Sequence, residues 1–159
     1  MYNFKAMITQ YITFSISITI ISWMVGIILN NILRRTKYYK NLSNFNFIQN
    51  KALNNKIGLG FFKWIVKNTF FKYLNQNFKL KNRVGITELN NLRKEMTLAE
   101  LNHLIGFGFV SIFTLEKIVN GFYLFGLIIM IVNILLNLYP SLMQQENKRR
   151  IDKFIKKFN

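Results

Sequence analysis

The stretch YITFSISITIISWMVGIILNNIL, Tyr11 to Leu33, followed at once by RRTKYYK, Arg34 to Lys40, decides the fold. The first part carries no charge. At about 1.5 Å of rise per residue, a helix of that length crosses the roughly 30 Å hydrocarbon core of a bilayer. Thr13, Ser15, Ser17 and Thr19 are tolerated in such a helix because their hydroxyls bond back to carbonyls of the preceding turn. The stretch is too long for a secretory signal, and no small-residue cleavage site follows it. Arg34, Arg35, Lys37 and Lys40 come directly after it, whereas only Lys5 precedes it. That asymmetry places the N-terminus outside and Arg34 in the cytoplasm.

The rest of the chain repeats the pattern. Apolar residues make up 51% of 159 residues, yet the net charge is +16. The charges are segregated: none falls between Met7 and Leu33 or between Ile118 and Gln145, while Lys and Arg crowd into Arg34 to Lys94 and the stretch after Gln145. Apolar runs alternating with basic blocks predict membrane spans with cytoplasmic connections. A helix start near Thr87, with Glu88 in its first turn, leads through Met96, Ala99 and His103 into the apolar run from Leu104 to Leu115. A third apolar run leads into Lys148, Arg149, Arg150, Lys153, Lys156 and Lys157. The expectation is an all-α integral membrane protein forming one membrane domain over residues 1–159. Its spans lie at about 11–33, 97–115 and 119–143, with a cytoplasmic basic segment at 34–96 and a cytoplasmic tail at 144–159. Gly106, Gly108, Gly121 and Gly126 allow the last two spans to approach closely.

The middle segment is basic and aromatic. From Ile57 to Phe78 it interleaves Phe61, Phe62, Trp64, Phe70, Phe71, Tyr73 and Phe78 with Lys63, Lys67 and Lys72. Phe62, Ile65, Val66, Phe70 and Tyr73 can share one helical face. This predicts an amphipathic helix in the headgroup layer, with Lys on lipid phosphate and rings at the boundary. Anionic membrane lipids, not nucleic acid, are the expected partner, because the flanking spans hold the segment at a surface that already supplies phosphate.

Chemistry has few places to sit. There is no Cys and one His, which excludes disulfides, iron–sulfur clusters, cysteine-ligated zinc and multi-histidine metal sites within one chain. Gly58-Leu59-Gly60 lacks the rest of a phosphate-binding loop, and no Gly-x-Ser-x-Gly elbow is present. Asn41-Leu42-Ser43 fits a glycosylation acceptor but faces the cytoplasm in this topology. Glu95, Glu100 and His103 stand close together where the second span enters the membrane. Glu100 and His103 are helical neighbours. A carboxylate beside an imidazole suits a general base acting on a hydroxyl, and an ionisable group in a span is a functional-site candidate. The plain alternative is a pair of interfacial residues bonded to each other or to Asn102. Glu-x-x-His is also half of a di-iron carboxylate site, but no second such motif is present. A non-enzymatic small subunit or anchor of a larger complex would need only the spans and the basic blocks.

The run Glu95-x-x-x-Ala99-Glu100-Leu101-x-His103, followed by an apolar hairpin, Asn137, Pro140, Gln144, Asn147 and Arg150, resembles the glycosyl-4,4'-diaponeurosporenoate acyltransferases of staphyloxanthin-type carotenoid synthesis. The resemblance covers roughly the last 65 residues and reaches the first span and the basic-aromatic middle only as architecture. Pro140 sits one place late. The usual Gln-Arg-Tyr-Asn-Arg wording stands here as Gln144-Gln145-Glu146-Asn147-Lys148, a departure that bears on substrate more than on fold. The resemblance implies a multi-pass enzyme of the bacterial cell (inner) membrane. It would move a fatty acyl group from a coenzyme A or carrier-protein thioester to a sugar hydroxyl of a lipid-linked terpenoid, with no cofactor and no metal. His103 would be the general base, Glu100 its orienting partner and Glu95 the third catalytic residue. Asn137, Gln144, Asn147 and Arg150 would bind substrate.

Overall fold

The computed structural model describes residues 2–44, 56, 58–68 and 85–157. All regular structure among them is helical: α1 (Tyr2–Leu33), α2 (Tyr39–Ser43), α3 (Leu59–Asn68), α4 (Ile86–Val119), α5 (Tyr123–Asn133), a π-helical turn (Ile134–Leu138) and α6 (Tyr139–Ile155). Three continuous helices are long and apolar enough to cross a membrane: Asn3–Leu33, Ile86–Val119 and Tyr123–Ile155. The chain is therefore an all-α, multi-pass membrane protein.

The spans show most of their apolar surface to the outside, as a bilayer solvent permits. Ile16, Ile20, Met24, Ile27, Ile28 and Leu29 on α1 are exposed, while the buried stripe of the same helix is Ser15, Ile18, Thr19, Ser22, Gly26 and Asn30. Lipid tails are as apolar as leucine, so helices associate through close packing and polar contacts rather than through apolar burial. Ser15, Thr19 and Ser22 satisfy their own hydroxyls on the carbonyls of Tyr11, Ser15 and Thr19, at 2.6, 2.7 and 2.6 Å. Gly26 lets the α1 backbone run directly against the carbonyl of Asn102 on α4; a Cβ there would collide with it. Helix α4 is the central element, packing along α1, α5 and α6.

The helix bounds differ from the sequence expectation in instructive ways. The second span is one helix of 34 residues, about 50 Å long at 1.5 Å per residue, so it projects well beyond the hydrocarbon core. It stops at Gly121, whose φ of 81° lies in the left-handed region. The Phe122 and Gly121 amides close on the carbonyls of Lys117 and Ile118, at 2.8 and 3.0 Å, which is a Schellman ending that glycine accommodates. The third span consequently starts at Tyr123 rather than Val119. It runs on through Ile155, because Gln145, Lys148 and Ile151 are buried against neighbours instead of leaving as a solvated tail. The π-turn precedes Pro140, which has no N–H to continue the helical ladder at that point.

Part of the segment expected to lie at the interface is helical, as α3. Leu59 and Val66 of α3, with Phe62, pack on Leu138, Tyr139, Leu142 and Met143 of the third span, and Phe62 stacks on Tyr139 with ring centroids 5.0 Å apart. The face expected to meet lipid thus meets protein. Phe61 and Trp64 point outward instead, 67% and 62% exposed, and are stacked at 6.1 Å. Phe70 and Tyr73, assigned to the same face, lie outside the described residues. Of the four glycines read as helix-packing positions, Gly106 and Gly126 sit at close crossings, Gly121 forms the hairpin turn and Gly108 faces open space.

Candidate active site

His103 and Asn137 face each other across α4 and the π-turn, with Asn137 Oδ1 3.5 Å from His103 Nδ1. The surrounding hydrogen bonds determine the orientation of both. Asn133 donates its amide hydrogens to the Phe107 carbonyl (3.0 Å) and Ser111 Oγ (3.3 Å). Its Oδ1 is therefore the acceptor for Asn137 Nδ2, at 2.9 Å. The second Asn137 hydrogen goes to Ser22 Oγ at 3.1 Å, whose own proton is committed to Thr19. With both hydrogens used, Asn137 presents only oxygen to the remaining side. There it accepts from Trp23 Nε1 at 3.1 Å, an indole that can only donate. A hydrogen bond from His103 to that oxygen uses Nδ1–H as donor, the tautomer that leaves Nε2 with a lone pair. No described residue bonds Nε2.

The π-turn places this constellation. Asn137 lies within it and Asn133 is the residue preceding it, both fully buried. Gly106, one turn after His103 on α4, leaves the room: a Cβ there would stand 3.0 Å from Ser22 Oγ and 3.1 Å from Asn137 Oδ1. Single π-turns inside α-helices are frequent at functional sites.

Glu100 is not hydrogen-bonded to His103. It is fully buried on the adjacent face of α4, where Lys148 Nζ lies 2.5 Å from Oε2 and Gln145 Nε2 lies 3.1 Å from Oε1. Both oxygens are engaged, so the expected carboxylate–imidazole pair is replaced by Asn137–His103. Lys148 also donates to the Ser43 carbonyl at 2.9 Å, and the ion pair has side-chain exposures of 1% and 1%. A second clamp repeats the connection: Arg93 pairs with Asp152 at 2.5 Å and reaches Asn44 Oδ1 at 3.0 Å. Together they join the end of α2 to α4 and α6.

The other site expectations separate in space. Glu95 is exposed and takes no part in the buried cluster. Gln144 and Asn147 are half-buried and Arg150 is exposed; at three-residue spacing they form a stripe of α6 set aside from the buried stripe of Ser141, Gln145 and Lys148. All three departures from the family wording have partners: Gln145 and Lys148 hold Glu100, and Glu146 forms an ion pair with Lys63 of α3. Sequence reasoning missed Trp23, Ser22, Asn133, Gln145 and Lys148. The spacing Ser141, Gln145, Lys148, Asp152 was the available signal for the last helix, since it repeats one helical face, but Lys148 was hidden in a run of basic residues. No group of three or more His, Asp or Glu able to hold a metal occurs among the described residues.

Fold and site together define a small helical membrane protein whose lone histidine stands inside the spans beside a buried, hydrogen-bonded amide network. The family model of the glycosyl-4,4'-diaponeurosporenoate acyltransferases matches residues 35–157, and the chain belongs to that family. It is an acyltransferase family of carotenoid biosynthesis. No curated protein and no solved structure matches the chain.

Proposed function

We propose that this protein transfers a fatty acyl group from a cytoplasmic thioester, on coenzyme A or a carrier protein, to a sugar hydroxyl of a glycosylated terpenoid in the bilayer. The observation that carries the reading is the placement of His103 among the spans, with Nδ1 3.5 Å from Asn137 Oδ1 while no described residue bonds Nε2. His103 Nε2 removes the proton from the acceptor hydroxyl as its oxygen attacks the thioester carbonyl. The C–O bond forms, the C–S bond breaks, and the proton passes from His103 to the departing thiolate. Asn137 orients the ring and stabilises the imidazolium that forms, as an amide does beside histidine in other acyl-transfer sites. Transfer is direct: among the described residues, no hydroxyl, amine or carboxylate is hydrogen-bonded to His103.

The remaining roles follow from placement. The acceptor's isoprenoid chain lies among the exposed apolar faces of the spans, and its sugar reaches inward from the cytoplasmic boundary to His103. Gln144, Asn147 and Arg150 meet the anionic donor there, and the basic cytoplasmic face raises its local concentration. This orientation, with the N-terminus outside and the C-terminus in the cytoplasm of a bacterial inner membrane, also accounts for both basic blocks.

The test is acylation itself. His103→Ala should reduce turnover by about 100- to 10,000-fold, and His103→Gln, which cannot accept a proton, should be nearly as inactive. Mass spectrometry of lipid extracts should show the unacylated glycosyl terpenoid accumulating. Normal acylated product from a folded, inserted His103→Ala protein would overturn the assignment.

A further inference from the structure

The family match begins at residue 35, after α1 has ended, yet α1 supplies two of the side chains that surround Asn137. We infer that Trp23, from the first span, is a positioning residue of the active centre, holding the His103 imidazole in its working orientation; this rests on the reading of His103 as the general base.

Three observations converge. The Trp23 and His103 rings stand edge to face, with centroids 6.2 Å apart and planes at 85°, an arrangement aromatic pairs favour and one that restricts ring rotation. Trp23 Nε1–H donates at 3.1 Å to Asn137 Oδ1, the oxygen that His103 Nδ1 faces at 3.5 Å. The indole thus takes the shorter contact, and the imidazole receives a partial share of the acceptor. Finally, α1 is locked in register beside the site. Gly26 is pressed against the Asn102 backbone, Asn30 donates to Asn102 Oδ1 at 2.7 Å and to the Leu98 carbonyl at 3.2 Å, and Ser22 accepts from Asn137. The first span is therefore more than an anchor. Without it Asn137 loses two partners and His103 loses one wall.

The chain has one histidine, which makes the test specific. In full-length protein labelled with 15N-histidine, nitrogen NMR reports a single imidazole. The wild type should show the Nδ1–H tautomer. Trp23→Phe keeps the wall but removes the indole donor. Asn137 Oδ1 then serves His103 alone, so the Nδ1 proton resonance should move downfield. Trp23→Leu removes wall and donor. The imidazole should then populate both tautomers, and kcat should fall about 10- to 100-fold, the scale of a mispositioned catalytic group, with KM for donor and acceptor little changed. Unchanged NMR spectra in both variants would overturn the inference, as would a rise in KM at constant kcat, which would make Trp23 a substrate contact. If Trp23→Leu does not fold, an unmoved Nδ1 resonance in Trp23→Phe alone is sufficient to overturn it. The spectra do not depend on acyl transfer, so failure of the catalytic reading and failure of this one are distinguishable.

Discussion

The buried ion pair between Glu100 and Lys148 offers the most discriminating perturbation. Both side chains are 1% exposed, so neither charge can be solvated if its partner is removed. Among the described residues, Lys148→Met leaves the Glu100 carboxylate with only the Gln145 amide, and Glu100→Gln leaves the Lys148 ammonium with the Ser43 carbonyl and a neutral amide oxygen in place of the carboxylate. Removing one member of a buried pair typically costs about 3–5 kcal/mol, whereas replacing both by groups of similar volume is often close to neutral. Each single variant should therefore lose about 3 kcal/mol, roughly a hundredfold in the folded-to-unfolded ratio. The double variant should lose far less than the sum, with a coupling of about 2–3 kcal/mol. Equilibrium unfolding in mixed micelles, followed over the four proteins of the cycle, measures this directly. Additivity within about 0.5 kcal/mol would refute the reasoning. The same proteins also test the role of Glu100. Because Asn137 rather than Glu100 orients His103, the folded double variant should retain most of its acyl-transfer rate. Loss of turnover at full stability would restore Glu100 to the catalytic machinery.

Further outcomes follow from the same geometry. Asn137→Leu should lower turnover about 100-fold by releasing the imidazole, read as a fall in kcat in the purified enzyme. Gly26→Ala sets a Cβ into the Asn102 carbonyl, so α1 must withdraw from α4 at a cost of about 1–3 kcal/mol, measurable as reduced thermal stability in micelles. Phe61 and Trp64 face outward beside the third span; brominated lipids should quench Trp64, and replacing both with Ser should loosen bilayer contact near α3, whereas a Trp64 remote from lipid bromine would refute that placement. Reporter fusions at residue 60 and at the C-terminus should both fall in the cytoplasm, and opposite locations would end the N-out topology.

The sequence by itself determined the solvent and the architecture, and it singled out His103 as the candidate for chemistry. Charge-free runs of membrane-spanning length and basic blocks report on bilayer transfer, which depends on composition and needs no knowledge of neighbours. A single His at the entry of a span stood out for the same reason, and the motif around it matched a family. Only the tertiary structure decided which groups meet. Glu100 and His103 are three apart on one helix, so local geometry paired them. In the folded protein each instead turns to a partner more than thirty residues away, Lys148 and Asn137 respectively. Ser22 and Trp23 joined the site only because α1 packs antiparallel on α4 through a glycine contact. Lys148 read as tail because its charge resembles its neighbours', and burial singled it out. Spacing along one helix governs what can be adjacent, but in a membrane interior, where every buried polar group needs a partner, the choice falls to whichever complementary group the packing of the other spans brings within reach.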